Sequence, residues 1–379
     1  MKQKKNMLHE KSTNAPFPRL VLWLILTTML VPIKNSKAQN YSTLVDPIVQ
    51  KYLNGDPTGI AIGIIHKGNV QNFYFGSAKS EGPYPIDAQT RFEIGSISKI
   101  FTALCLSILT VENKINPDDS LVTFLGPEVL TNPEARKIQL AELATHTSGL
   151  PRLPINLEAK LWMHRKRPYE RYSRKKLLYG LNRTHVIRDK QYRYSNFGAG
   201  LLGQLLADQM NTSYNQMIQN KIAIPLGLTE TNVQASLVLA DGHNIKGKAV
   251  PHWEFESLAG AGAIRSNLPE MMHFLEANIN AGQQMRILDT ALIYMQKPLV
   301  NVKNGLKTGL GWHFIPIHHF ELIWHNGGTA GFSSFIGFVP EEQTGIVVLS
   351  NKADSVDPLA IEILIQLLKP NKNATQESQ

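Results

Sequence analysis

With 379 residues, 43% of them hydrophobic and 18% charged, the chain has enough apolar side chain for a large core and is not disordered by composition. Its formal charge of +9 misleads, because residues 1–38 carry seven Lys/Arg against one acidic residue, leaving 32 against 29, or +3, in the remainder. That near-balance does not imply a nucleic-acid partner, and a single cysteine, Cys105, excludes disulfides within the chain.

At the start of the chain, Lys2, Lys4, Lys5, Lys11 and Arg19 precede an apolar run over residues 20–31, and Ser36-Lys37-Ala38 supplies small residues for cleavage. This order reads as an export signal over residues 1–38 and predicts a periplasmic or secreted protein. About a dozen apolar residues fall short of the ~20 that span a bilayer, so retention as a membrane anchor is the secondary expectation. No cysteine lies near the signal to carry a lipid.

The remaining residues, 39–379, read as one domain. A helix is predicted at 42–53, followed by β-rich runs at 59–66 and 70–76 that Lys67-Gly68-Asn69 joins as a hairpin. Helical periodicity dominates from Ser96 to about Gln219, with Cys105 on the apolar face as a buried structural thiol. Within this stretch, residues 160–193 hold twelve Lys/Arg against Glu170 and Asp189, a net +10. Such a run is either a solvated face or a cleft rim that contacts an anionic cell-wall or membrane surface. Trp162, Tyr169, Tyr172 and Tyr179 inside it read as packing residues. A helix follows at 197–210. β-rich segments return at 309–317, 322–325, 332–339 and 344–350, and a last helix at 358–368 covers the sheet. Residues after Lys369 are polar and read as a frayed end. Strands at both ends with helices between them give an α+β fold, an antiparallel sheet flanked by helices with an inserted all-helical lobe. Residues 39–95 and about 255–370 form the α/β lobe, and about 96–254 the helical one.

Three short patterns carry the chemistry: Ser96-Ile97-Ser98-Lys99, Tyr194-Ser195-Asn196 and His325-Asn326-Gly327. Residues three apart on a helix share a face, so Ser-x-x-Lys at a helix start brings an amine to a hydroxyl. A serine hydroxyl is a poor nucleophile without a neighbouring base, and a lysine becomes one when burial or a second cation favours its neutral amine. Phe92, Ile94, Ile97, Ile100, Phe101 and Leu104 make these surroundings apolar, and Gly95 permits a tight turn before Ser96. The Ser96 backbone N–H, at a helix start, is available to a developing oxyanion. Ser98 projects from a different helix face.

Four histidines, His313, His318, His319 and His325, lie close in sequence, but no acidic or cysteine partner accompanies them. His318-His319 reads as a hairpin turn, so neither a metal nor another cofactor is expected. His146, at the end of the helical stretch 140–145, is expected to satisfy terminal carbonyls.

In combination, these patterns resemble the serine β-lactamase and penicillin-binding peptidase superfamily, specifically its class C β-lactamase-like branch. Further stretches share the likeness: Leu143-Ala144-Thr145-His146-Thr147-Ser148-Gly149-Leu150-Pro151, Pro225-Leu226-Gly227-Leu228, Ala261-Gly262-Ala263-Ile264-Arg265-Ser266 and Gly327-Gly328-Thr329-Ala330-Gly331-Phe332. The resemblance covers nearly all of residues 39–379 and implies the β-lactamase/transpeptidase-like fold. It implies Ser96 as the acylated nucleophile, Lys99 and Tyr194 as the proton-transfer pair, and Asn196 as a hydrogen-bond partner for the substrate amide. The backbone N–H of Gly328 would be the second oxyanion donor, with Gly327 and His325 beside the substrate. Many relatives carry Lys-Thr-Gly or Lys-Ser-Gly where this chain has His325-Asn326-Gly327, and His-x-Gly occurs among peptidase and esterase members. Lysine is a permanent charge for a substrate carboxylate, whereas histidine is charged for only part of the range near neutral pH. His325 is therefore expected to face the cleft and hold that carboxylate when protonated.

The function expected is an exported serine hydrolase working through a Ser96 acyl-enzyme, of β-lactamase or D-alanyl-D-alanine carboxypeptidase type. Its substrate would be a small molecule or derived from peptidoglycan. The alternatives are an esterase or D-aminopeptidase of the same fold, or a non-catalytic muropeptide- or penicillin-binding protein. An intact nucleophile beside a base favours the enzyme.

Overall fold

The computed structural model describes residues 40–82, 84–159, 167–284 and 286–369; the expected export signal and residues 160–166 of the basic stretch lie outside them. The strands in chain order are β1 (Ile60–His66), β2 (Asn69–Phe75), β3 (Arg91–Glu93), β4 (Gly242–His243), β5 (Ala249–Val250) and β6 (Arg265–Asn267). They continue as β7 (Val300–Asn301), β8 (Lys307–Thr308), β9 (His313–Ile317), β10 (Phe320–Gly328), β11 (Ser333–Val339) and β12 (Thr344–Ser350).

Eight of these form one sheet in the order β2-β1-β12-β11-β10-β9-β8-β7. The N-terminal hairpin turns through Lys67 and Gly68, both with positive φ, and β1 then pairs antiparallel with the last strand, Ile60 opposite Ser350. Both ends of the chain thus build one sheet, as strand patterning at the two ends predicts.

Side-chain alternation sends Ile60, Ile62 and Ile64 of β1 to one face and Ala61 and Ile65 to the other. The first face is covered by helices Ser42–Leu53 and Asp357–Leu367, which also touch each other. The second packs against helix Leu268–Ile279 and, beyond it, the central helix Ser98–Val111. Burying each large aliphatic side chain in such layers contributes roughly 1.5–3 kcal/mol before entropy is counted. Cys105 is fully buried there, and lost hydration holds its thiol in the protonated form.

Several expected boundaries move. Residues 309–312 form a turn with Gly311 at φ +76, so the strand begins only at His313. The expected helix 197–210 runs from Asn196 to Gln209, and the terminal helix from Asp357 to Leu367. Two small ladders, β3 with β6 and β4 with β5, lie outside the main sheet; three-residue and two-residue strands are too short to show a period.

The basic stretch is neutralised in part where it is described. Arg167 pairs with Glu170, Arg174 with Asp208, Arg188 and Lys190 with Glu142, and Arg193 with Asp189. Tyr172 is buried and donates its hydroxyl to Asn156 Oδ1, whereas Tyr179 is exposed beneath Arg183.

Candidate active site

Ser96 lies in a 3-10 turn, Gly95–Ile97, that feeds directly into the Ser98–Val111 helix, so it precedes the α-helix rather than opening it. Gly95 makes the turn possible. Its φ is +52°, and a Cβ built there would sit 2.6 Å from the backbone nitrogen of Gly328. Only glycine combines that backbone region with that clearance. The end of β10 is therefore pressed against the Ser96 turn, bringing the Gly328 amide to Ser96. Gly327 is as tightly held, against the Ile94 carbonyl and Ser334 Oγ.

Lys99 Nζ lies 2.8 Å from Ser96 Oγ and donates to the Ala261 carbonyl at 2.7 Å. The lysine is buried, and lost hydration, with the Arg152 charge as a smaller contributor, drives its pKa well below the ordinary lysine value. A neutral amine with two hydrogen-bonded neighbours is poised to accept the Ser96 proton. Tyr194 completes the group. Its phenol hydrogen-bonds Ser96, and the Lys99 amine lies 4.9 Å from its ring centre. Burial raises the Tyr194 pKa far above 10, so the resting side chain is a phenol and can donate a proton but not take one.

Two cavities meet at Ser96, and Arg152 and Gly328 border both. The first, of about 630 Å³, has an aromatic wall of Tyr169, Trp253 and Phe255, with Asn196 beside it. Tyr169 stacks on Phe255 at 4.5 Å, and its hydroxyl accepts a hydrogen bond from Asn196 Nδ2 at 2.9 Å. That bond leaves Asn196 Oδ1 buried and without a partner, an acceptor suited to a substrate N–H. The aromatic loop is held from below: Glu93 accepts the Trp253 N–H at 2.8 Å, and buried Arg265 donates to the Trp253 carbonyl at 2.9 Å. The second cavity, of about 510 Å³, includes Tyr192, Tyr194, His313, Trp324, Asn326, Gly327 and Asp357.

His325 is not where the expectation puts it. Strand alternation turns Asn326 to the second cavity and His325 inward, where it is 1% exposed and borders neither cavity. Its Nδ1–H donates to the Asn326 carbonyl at 2.5 Å, its Nε2 has no partner, and burial, with the nearby His313 and Lys99 as smaller contributors, pushes its pKa well below 6.5. A neutral imidazole in that position is not a charged reader of carboxylates.

Two further histidines form the same inner wall. His313 packs 4.8 Å from His325 and meets the Tyr192 hydroxyl at 2.9 Å, with its pKa lowered by burial to about 4. His146 does not cap carbonyls. It takes φ +61°, its Nδ1 accepts the Ser195 N–H at 3.2 Å, and its ring lies 4.5 Å from that of Tyr194. It positions the tyrosine from behind. Ser195 itself caps the Asn196–Gln209 helix, accepting from Gly198 N–H and donating to the Pro151 carbonyl. Among the described residues, no three His, Cys, Asp or Glu side chains gather as a metal-holding set.

A β-lactamase family profile matches residues 45–368. The chain belongs to the β-lactamase family. It is 25% identical over 352 residues to a β-lactamase of Pseudomonas fluorescens, spanning 83% of this chain and 93% of that protein. To a β-lactamase of Escherichia coli (strain K12) it is 26% identical over 348 residues, spanning 82% and 88%. A solved class C β-lactamase superposes with a TM-score of 0.78 at 23% identity, over 89% of this chain and 99% of the other. A β-lactamase/D-alanine carboxypeptidase from Pseudomonas syringae gives 0.73 at 23% identity, over 89% and 99%. Those structures share the β-lactamase/transpeptidase fold with this chain, and family membership makes it a serine hydrolase of β-lactamase type.

Sequence reasoning singles out Ser96, Lys99, Tyr194, Asn196, His325, Gly327 and Gly328: Ser96 and Gly328 border both cavities, Asn196 the first, Tyr194 and Gly327 the second, Lys99 lies buried against Ser96, and His325 borders neither. The sequence does not mark Arg152, His146, Trp253, Phe255 or Asp357 as functional, and it reads Tyr169 as packing alone. The adjoining Pro151 was the available signal for Arg152, since it closes the stretch that carries the family likeness.

Proposed function

We propose that the chain is an exported acyl-hydrolase of β-lactamase or D-alanyl-D-alanine carboxypeptidase type, in which Ser96 forms the acyl-enzyme. The observation that carries this reading is the contact of Ser96 Oγ with a desolvated Lys99 amine, beside a phenolic Tyr194 and against the Gly328 amide. Ser96 Oγ bonds to the substrate carbonyl carbon as its proton passes to Lys99. The backbone N–H groups of Ser96 and Gly328 stabilise the oxyanion. The C–N or C–O bond then breaks, and the leaving group takes a proton through Tyr194. Water hydrolyses the ester and returns Ser96 to its starting state. Tyr194 borders the second cavity and Asn196 the first, so the leaving group belongs in the second and the acyl group along the aromatic wall of the first. Export rests on residues 1–38, and the substrate is then a β-lactam or a peptidoglycan-derived peptide outside the cytoplasm.

The test is acyl-enzyme mass spectrometry with a fluorescent penicillin, a D-Ala-D-Ala peptide and a p-nitrophenyl ester. An adduct on Ser96 is expected, its rapid loss marking a β-lactamase and its persistence a peptidase. An adduct on Ser98 or Ser195, or none with any of the three, overturns the reading.

A further inference from the structure

With His325 buried and neutral, the cleft still holds one strong cation beside the nucleophile. Among the described residues that border either cavity, Arg152 is the only arginine or lysine, and it borders both. Its backbone is fixed: the Arg152 carbonyl accepts the Phe197 N–H at 3.1 Å, and the preceding Pro151 carbonyl accepts from Ser195 Oγ at 2.7 Å. Both bonds tie it to the start of the helix that carries Asn196. Its side chain is exposed, with the guanidinium carbon 5.2 Å from the centre of the Tyr194 ring. No carboxylate of a described residue pairs with it, although Glu158 borders the first cavity and Asp357 the second.

Several other arginines are held by carboxylates. Arg265 reaches Glu93 and Glu254, Arg91 reaches Glu230, and Arg188 reaches Glu142. An unpaired guanidinium held over a tyrosine next to a nucleophile presents a planar fork of N–H donors, the shape that binds a carboxylate in two places. Asp357, which borders the second cavity, accepts a hydrogen bond from Asn326 Nδ2 at 2.5 Å and carries no positive charge to hold an anion. We infer that Arg152 is the residue that binds a substrate carboxylate next to the scissile bond, so that the preferred substrates are anionic acyl donors. This rests on the Ser96 acyl-enzyme reading and adds the substrate charge and the residue that recognises it.

The other role open to Arg152 is electrostatic tuning, since its charge also contributes to lowering the Lys99 pKa. The two roles separate by selectivity. A depsipeptide with a D-lactate leaving group is used as the free carboxylate and as its methyl ester, so both share one scissile ester bond. The readout is the ratio of their kcat/KM values. In Arg152→Gln the free-acid-to-ester ratio should fall ~10–100-fold, the loss expected for one charge-assisted pair. Arg152→Lys should keep part of the ratio, and Arg152→Glu should push it below the glutamine variant. Because a guanidinium stays charged, the wild-type ratio should be flat from pH 5.5 to 8 and shrink with added salt.

If both substrates slow equally in Arg152→Gln, the ratio is unchanged, Arg152 only tunes Lys99 and the inference is overturned. A wild-type ratio that falls as pH rises through 6.5 also overturns it, by pointing to a histidine. A wild-type enzyme that leaves no adduct on Ser96 with either ester removes the acyl-enzyme reading and this inference with it, an outcome that mass spectrometry separates from the first two.

Discussion

Around Ser96 four nitrogen bases, Lys99, His146, His313 and His325, are each no more than 7% exposed, of which His313 alone borders a cavity, and lost hydration pushes every one of them toward its neutral form. In front of it Arg152 and Glu158 are exposed and Asp357 is half-buried, all three bordering the cavities where a substrate would lie. A proton acceptor must be neutral to work, whereas recognition of an ionic substrate needs charge that survives at working pH. The fold separates the two demands by depth.

The sharpest break of this contrast is at Ser96. Ser96→Ala should abolish covalent labelling while leaving the melting temperature near that of the wild type, because one hydroxyl leaves a half-buried turn. Intact labelling would move the chemistry elsewhere.

Next in size is the proton-transfer pair. Lys99→Ala and Tyr194→Phe should each lower the acylation rate by ~10²-fold or more, and the double variant should lose little beyond either one if they share a step. Single-turnover kinetics measures this. The wild-type rate should climb with pH through a Lys99 pKa lying below the ordinary ~10.4, since only the neutral amine accepts the proton. A Tyr194→Phe variant with near wild-type acylation would take the phenol out of the mechanism.

The part of this arrangement that is local in sequence was legible. A serine and lysine three apart in an apolar stretch, a glycine before them, and strand patterning at both chain ends are properties of neighbouring residues. What was not legible depends on which face of a strand looks where. His325 and Asn326 are adjacent, and nothing in their order says that Asn326 faces the cavity; the pairing of β10 with β11, Asn326 opposite Phe335, decides it. A shift of one residue would exchange them. The role of Tyr169 was hidden for a similar reason, because its partners Asn196 and Phe255 lie 27 residues or more away. Twelve basic residues in a row of 34 suggested a surface field, yet Glu142 and Asp208, from other elements, neutralise part of it.

Ser98 sharpens the contrast from the structural side. Its fully buried Oγ accepts the Ile264 N–H at 3.0 Å, so Ser98→Ala strands a buried donor. That should cost about 1–3 kcal/mol in urea unfolding and leave the Ser96 adduct in place. A variant that melts normally but loses labelling would make Ser98 part of the chemistry.

The smallest effect tests whether the inner wall is neutral, and His313 serves best because its lowered value is about 4. In the unfolded chain a histidine takes up its proton near pH 6.5, but in the folded protein His313 does so only near pH 4. Between these values the unfolded state binds more protons, so stability rises with pH there and is lost as pH falls from 6.5 to 4. One such group contributes a slope of at most ~1.4 kcal/mol per pH unit, or roughly 3 kcal/mol across the window. His313→Gln keeps a polar group near the Tyr192 hydroxyl and removes the titration. Urea unfolding at pH 7 and at pH 4.5 should therefore show the variant losing less stability on acidification than the wild type. The gap between the two proteins should narrow or reverse toward pH 4.5, whatever the variant costs at pH 7. Parallel losses in both proteins would mean that His313 charges in the folded state as readily as in the unfolded one, and the buried wall would then carry charge next to Lys99.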